Sequence, residues 1–383
     1  MNKAVFVRGG ATSIEARRWR QVGHVRCSPV DDTTRKRRVT VSDFAKIAER
    51  RANDSHPLFA YQGKVSGLSR RGAIAAALVG CLPARAQPSN RPVRIVLAGP
   101  PGGIIDIGGR AIVDSLAQAL GQPVVLDHRP GAAGMIAAQI AAAALPNGTT
   151  LLLTVSEITA IQFLTPIAFD LARDLTPVAT IGEGSALACV GADLQVHDLR
   201  SLIEYAVAHP QAVHYLNPGN GTRQHLIPEQ INRAFGTGMI SVPYRGLPPG
   251  VVDLISGRIQ FGIVSTALAL SHISARALRP IAFLGQQRLG ELPGLPTIEE
   301  QGLGGMNVRS TLCLFGPRGL PAPTVARLNR AVAAAVDDPQ ARERLRHAHI
   351  EIELSQPDDL GRRLASEQEE LGSLVRTLNL QPE

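Results

Sequence analysis

The 383-residue chain holds four cysteines, one tryptophan and four lysines, and most of them crowd one end. Lys3, Lys36, Lys46, Lys64, Trp19, Cys27 and Cys81 all fall in the first 86 residues, so whatever the remaining body binds, it uses neither lysine nor tryptophan. The body's Cys189 and Cys313 stand far apart with no CxxC or Cys/His spacing. That argues against a zinc site and gives no disulfide framework, leaving either one Cys189–Cys313 bridge or two buried thiols. No apolar run reaches the roughly 18 residues that a membrane helix needs. A G-x-G-x-x-G turn, the G-K-[ST] ending of a phosphate loop and the G-x-S-x-G nucleophile turn are all missing, and with them the usual support for nucleotide binding and hydrolysis. The body's histidines are scattered, and His347-x-His349 reads as a solvated helix end rather than a metal pair.

A net charge of +8 with a pI near 9.8 suggests a polyanion partner. A split count removes that suggestion. Residues 1–86 hold 17 of the 40 basic and 6 of the 32 acidic residues, so the body has 23 against 26 and is slightly acidic. The basic surplus belongs to the leader, and no nucleic-acid partner is expected.

Within that leader, Ser69-Arg70-Arg71 precedes the apolar run Ala73–Leu82 and the A-x-A site Ala84-Arg85-Ala86. A positive end, a short hydrophobic stretch and a small-residue cleavage site make an export signal over residues 65–86. Leu78-Val79-Gly80-Cys81 also resembles a lipobox, which would leave Cys81 as a lipidated first residue instead of cleavage after Ala86. Residues 1–64 read as a non-native or disordered extension.

From residue 91 onward, short apolar runs alternate with helical patterns, the mark of an α/β chain with mostly parallel sheets. Strands are expected at Val93–Ala98, Val124–Asp127, Thr150–Val155, Ala186–Val190, Val213–Leu216, Ile240–Pro243, Ile259–Val264, Leu278–Leu284 and Thr311–Phe315. Clear helices are Asp106–Leu120, stopped by Gly121, Leu199–Ala208 before His209-Pro210, Thr324–Val336, and Asp358–Leu378 after Pro357.

Two glycine loops, each after a strand and before a helix, are the places for chemistry. Gly99-Pro100-Pro101-Gly102-Gly103-Ile104-Ile105-Asp106 lets a ligand approach the backbone and ends at a helix start, where unpaired N–H groups favour an anion. The bland reading is a tight turn with Asp106 as helix cap. The second loop, Asn217-Pro218-Gly219-Asn220-Gly221-Thr222-Arg223-Gln224-His225, repeats the arrangement, with Thr222 placed to cap its helix and His225 either a ligand contact or a brace behind it. Two such loops on two domains would aim two helix starts into one cleft and suit a carboxylate held by amides.

In its order of motifs the body resembles the periplasmic receptors of tripartite tricarboxylate transporters, often called the Bug family. The resemblance is carried by Arg91-Pro92-Val93-Arg94-Ile95-Val96, the Pro-Pro-Gly-Gly loop with Asp106, Gly121-Gln122-Pro123-Val124-Val125 and Arg129-Pro130-Gly131-Ala132. It continues through Gly219-Asn220-Gly221-Thr222 with His225, Val242-Pro243-Tyr244-Arg245-Gly246, Leu295-Pro296-Thr297, Gly316-Pro317 and Val325-Ala326-Arg327-Leu328-Asn329. It implies a two-lobed α/β Venus-flytrap receptor of the type II periplasmic-binding-protein fold, not an enzyme. Lobe 1 would take residues 87–192 and 308–383, lobe 2 residues 193–307, and no metal or cofactor is implied.

Carried over by position, Pro101, Gly102, Gly103, Ile104, Ile105, Asp106 and Ser156 would line the first lobe, and Gly219, Asn220, Gly221, Thr222, His225 and Ser265 the second. Family members usually carry small polar residues at Ile104 and Ile105, an acid and an amide at Val264 and Ser265, a tryptophan at Thr311 and an asparagine at Met135. The pocket therefore reads as more apolar than most, which disfavours citrate-like ligands and favours a monocarboxylate or aromatic acid. The implied partners are that small organic acid and the permease subunits of the transporter, with a sensing receptor that signals to a membrane sensor as the alternative.

Overall fold

The computed structural model describes residues 91–164 and 169–380, so the expected extension over 1–64 and the export signal over 65–86, with Cys81, lie outside the described residues. The body forms two α/β lobes, each built on one sheet. Strands β1 (Val93–Leu97), β2 (Val124–His128), β3 (Thr150–Val155), β4 (Leu175–Gly184), β10 (Ser310–Pro317) and β11 (Ile350–Ile352) make a six-stranded sheet in the order β11-β4-β10-β3-β1-β2. Strands β5 (Ala186–Gly191), β6 (His214–Asn217), β7 (Ile240–Pro243), β8 (Phe261–Ser265) and β9 (Leu278–Phe283) make the other in the order β7-β6-β8-β5-β9.

Both sheets are mixed rather than mostly parallel. The β2-β1-β3 and β7-β6-β8 cores are parallel, as helix-linked strands must be, while β10 runs against β3 and β4, and β5 against β8 and β9. β10 and β5 carry the chain between lobes, and the short β11 also runs against β4. The first passage lies at Ser185, the single residue between β4 and β5, earlier than the expected change near residue 192. It comes early because β5 is a direct continuation of β4 into the second sheet, with no helix to announce it. The return is β10, which starts at Ser310. Strands β5, β8 and β10 are buried along their whole length, which is why their apolar residues follow one another without an inside-outside alternation.

Two strands were not foreseen. In β4 the residues Pro177, Gly182 and Gly184 interrupt the apolar pattern, and β11 has three residues. Their pairing depends on one missing side chain, because a Cβ on Gly182 would sit 2.4 Å from the Glu351 carbonyl oxygen and 2.8 Å from Ile350 Cγ2.

Helix Ile104–Leu120 packs on the first sheet and stops at Gly121, whose φ of 65° lets its N–H reach back to Ala117 and Gln118. The final helix, Pro357–Leu378, spans both lobes. Its Leu371 and Val375 form one small core with Ala160 and Leu164 of lobe 1 and Leu226 of lobe 2. Cys189 and Cys313 are both buried free thiols in separate cores, so the bridge between them is not made. No helix among the described residues is long and apolar enough to cross a membrane.

The Gly182→Ala variant is expected to lose about 1–3 kcal/mol of stability, because the clash falls on backbone that cannot rotate away. Urea unfolding followed by circular dichroism measures it, and an unchanged midpoint would contradict the β4–β11 contact.

Candidate functional site

The parallel strands deliver their C-terminal ends to one cleft of about 300 Å³. From lobe 1 come the loops after β1, β2 and β3, and from lobe 2 those after β6 and β7. Loops that follow parallel strands on either side of a sheet's central strand diverge and leave a crevice between them, the usual place for a ligand in an open α/β sheet. Here two such crevices face each other.

The jaws meet at glycines. A Cβ on Gly219, whose φ is 154°, would lie 2.9 Å from Ala133 Cβ, and one on Gly246, whose φ is 106°, would lie 2.7 Å from the Pro100 ring. Each contact joins one lobe to the other with backbone on at least one side.

Of the expected residues, Gly103, Ile104, Ile105, Gly219, Asn220 and Thr222 line this cleft. The others stand outside it, and for most the reason is visible. Asp106 is 4% exposed and its carboxylate is fully engaged. Its Oδ2 accepts the Gly102 N–H at 2.9 Å, and its Oδ1 accepts Arg110 Nε at 2.7 Å and lies 2.7 Å from His128 Nε2. Burial alone would push this carboxyl up, yet the Gly102 amide, His128 and Arg110 together hold it below its ordinary value. Asp106 therefore braces the Pro-Pro-Gly-Gly turn from behind. Gly102 spends its amide on that brace, and Pro101 is exposed. The capping reading is close, although the N-cap position itself is Gly103 and makes no side-chain bond.

The second loop is braced in the same way. Asn217 Oδ1 accepts the Gly219 N–H at 2.9 Å, and Asn217 Nδ2 donates to Asn220 Oδ1 at 2.7 Å. The Gly221 N–H donates to His225 Nδ1 at 3.2 Å, which puts the buried His225 behind the loop and keeps its proton on Nε2. Thr222 holds the N-cap position of helix Arg223–Phe235, but its Oγ1 donates to the Gly219 carbonyl at 2.8 Å instead of capping the helix. Ser156 is fully buried beneath the floor, and Ser265 sits at the end of β8 opposite Ala186, outside the lining.

Sequence reading missed three parts of the wall. One is the turn Pro130–Gly134, where Ala132 and Ala133 take positive φ of 45° and 49°. The glycine spacing in Arg-Pro-Gly-Ala-Ala-Gly after β2 is the signal that could have found it. Another is Pro243–Leu247 after β7, which brings Tyr244 and the exposed Arg245 to the rim. The last is the floor, where Glu157 stands with Ser310.

Glu157 is 2% exposed and its Oε1 accepts Ser310 Oγ at 2.7 Å. Burial, with the nearby charge of Glu367 added, pushes its carboxyl up to about 7, and Ser310 and Arg223 offset only part of this. Glu367 is raised as well, chiefly by burial. Arg223 reaches this acidic floor from lobe 2 and bonds Glu370 at 3.3 Å on the final helix. No cluster of three or more possible metal ligands occurs among the described residues.

Two α/β lobes joined by crossing strands, with strand-end loops from both meeting round one cleft, define the two-lobed solute-binding class of protein. The model of the tripartite tricarboxylate transporter family receptor matches residues 109–380, and the chain belongs to that family. It is a family of periplasmic solute-binding proteins rather than enzymes, as the motif order implied. A relative from Pseudomonas sp. strain P51, encoded in the tcbD-tcbE intergenic region, is 31% identical over 75% of this chain and 86% of its own. Among solved structures, Rpa4515 of R. palustris with adipate is 30% identical, with a TM-score of 0.73 over 77% of this chain and 99% of that one. MatC of Rhodopseudomonas palustris with bound malate is 27% identical, with a TM-score of 0.70 over 74% and 99%.

Because the folded state favours protonated Glu157, the stability it contributes is complete below the ordinary carboxyl range and is lost as pH rises through about 7. Replacing it by a neutral amide removes that loss. Glu157→Gln is expected to gain on the wild type as pH rises from 5 to 8, by on the order of 3 kcal/mol at the upper end. Denaturant unfolding at both pH values measures the gap, and a gap that does not change with pH contradicts the raised titration.

Proposed function

We propose that this protein is an exported receptor that captures a small organic carboxylate between its two lobes and delivers it to the membrane subunits of a tripartite tricarboxylate-type transporter. The observation that carries the reading is the pair of braced glycine turns, one from each lobe, that face each other across the cleft. Export follows from the signal pattern over residues 65–86, and family membership supports a periplasmic address. Rpa4515 with adipate and MatC with malate support an organic acid as the class of ligand.

The start of helix Ile104–Leu120 borders the cleft, and the first N–H groups of a helix have no acceptor inside it. They favour negative charge without needing a lysine, which the body lacks. Gly103, Asn220 and Thr222 would approach the acid group, Gly219 would leave room for it, and Asp106, Asn217 and His225 keep the turns in shape. Ile104, Ile105, Ala132, Ala133 and Leu247 give the walls an apolar character that leaves extra carboxylates and hydroxyls unpaired. The ligand is accordingly a monocarboxylate or aromatic acid, or a longer acid with an apolar middle. Binding shifts the molecule toward closed jaws because only the closed form offers both turns at once.

A thermal-shift screen against organic acids tests this. An acid present at a hundred times its dissociation constant should stabilise the protein by about 2.7 kcal/mol. Gly219→Val, which holds the jaws apart at Ala133 and strains the turn at a φ of 154°, should lower the ligand-free melting temperature and lose most of the further shift that ligand adds to it, the shift being read against the variant's own ligand-free value. Deleting the cognate permease should abolish uptake that depends on this protein; uptake that survives would favour a sensing role.

A further inference from the structure

The floor of the cleft holds a carboxyl group that the amide-turn account does not use. Glu157 follows β3 directly and lines the cleft beside Thr154 and Ser310. One of its oxygens accepts Ser310 Oγ, and the other, Oε2, is buried with no hydrogen-bond partner among the described residues. A carboxyl placed so deep costs free energy as an anion. The charged groups facing it are Glu367 on the final helix, which repels its anion, and Arg223 of lobe 2, which attracts it; the thiol of Cys313 on β10, itself pushed up by burial, stays neutral.

Ser310 also borders the cleft, and a serine hydroxyl has one proton to give. With Glu157 ionised, that proton is committed to Glu157, and Ser310 turns only lone pairs toward the cleft, with a negative charge behind them. A neutral Glu157 reverses the bond. Its own O–H donates to Ser310 Oγ, and the serine proton is released toward the cleft.

We propose that Glu157 and Ser310 form a specificity pair in which neutral Glu157 positions the Ser310 hydroxyl to donate to an anionic oxygen of the ligand, so that capture is coupled to uptake of one proton. The inference rests on the organic-acid reading above and adds a donor and a pH dependence to it. Glu157 is a positioning residue that acts through Ser310, and the proton it holds comes from solvent. The pair selects for an acceptor at this subsite. A ligand presenting an ammonium or amide N–H there would prefer the ionised state, and its pH dependence would have the opposite sign.

Calorimetric titration of the purified protein with adipate, malate and benzoate at pH 6 and pH 8 tests the pair, repeated in two buffers of different ionisation enthalpy. With Glu157 titrating near 7, the dissociation constant of whichever acid binds should be about tenfold weaker at pH 8 than at pH 6, with close to one proton taken up per ligand at pH 8. Glu157→Gln, fixed in the neutral state, should bind about tenfold more tightly than wild type at pH 8 and take up no proton. Ser310→Ala should be weakened at pH 6 to near the wild-type value at pH 8. Flat wild-type affinity without proton uptake overturns the proposal, as does affinity that rises with pH, a Glu157→Gln profile that still follows pH, or tight binding by Ser310→Ala at pH 6. If none of the three acids binds at either pH, the organic-acid reading itself fails for this probe set and takes the pair with it.

Discussion

The close approach of glycine backbone to the opposite lobe is the constraint on which the cleft depends. Gly219 lies on Ala133 and Gly246 on Pro100, and at each place a Cβ would come closer than 3 Å to the other jaw. Such contacts need turns that hold an uncommon backbone shape without help from bulky side chains. The bracing groups supply that help from behind. Asp106 takes the Gly102 amide, Asn217 takes the Gly219 amide and His225 takes the Gly221 amide, so three polar side chains that look like candidates for ligand contact are committed to the protein's own backbone. Removing His225 would leave the buried Gly221 donor without its acceptor, a cost of about 1–3 kcal/mol in a region where the two lobes must match.

Much of this was legible in the sequence, and the pattern of successes has a physical cause. Parallel strands buried on both faces announce themselves as apolar runs, so β1 and β3 lie within a residue of where the sequence puts them, and the loops that follow them come with them. Strands defined by their partners did not announce themselves. In β4, Pro177, Gly182 and Gly184 look like turn residues and are tolerated because the neighbouring strands hold them. β11 exists only because Gly182 leaves it room. The passage between lobes at Ser185 was misplaced for the same reason, since no local signal distinguishes a strand that stops from one that changes sheets.

At the site, sequence distinguishes glycine-rich turns from other segments but cannot tell which face of a turn looks inward. Gly103 and Gly219 line the cleft while Gly102 and Gly221 in the same motifs do not, and the amides of Gly102, Gly219 and Gly221 all turn to bracing side chains of the protein. Glu157 was invisible for a different reason. A single acid after a strand is ordinary, and its meaning comes from Ser310, more than 150 positions away, and from Glu367 on the final helix. Residues that matter through long-range neighbours have no spacing to read.

The apolar walls connect the site to the passage between lobes. Ile104 borders the cleft, and its side chain also rests on Gly184, where a Cβ would lie within 2.0 Å of Ile104 Cδ1. Gly184 is the last residue of β4, one step before the chain crosses at Ser185, and it pairs with both Ser310 of the return strand and Ile350. The isoleucine therefore fills one end of the cleft and one side of the crossing at once. A small polar residue at that position would leave both spaces partly unfilled. Wall chemistry and the packing of the crossing between lobes are thus set by the same side chain.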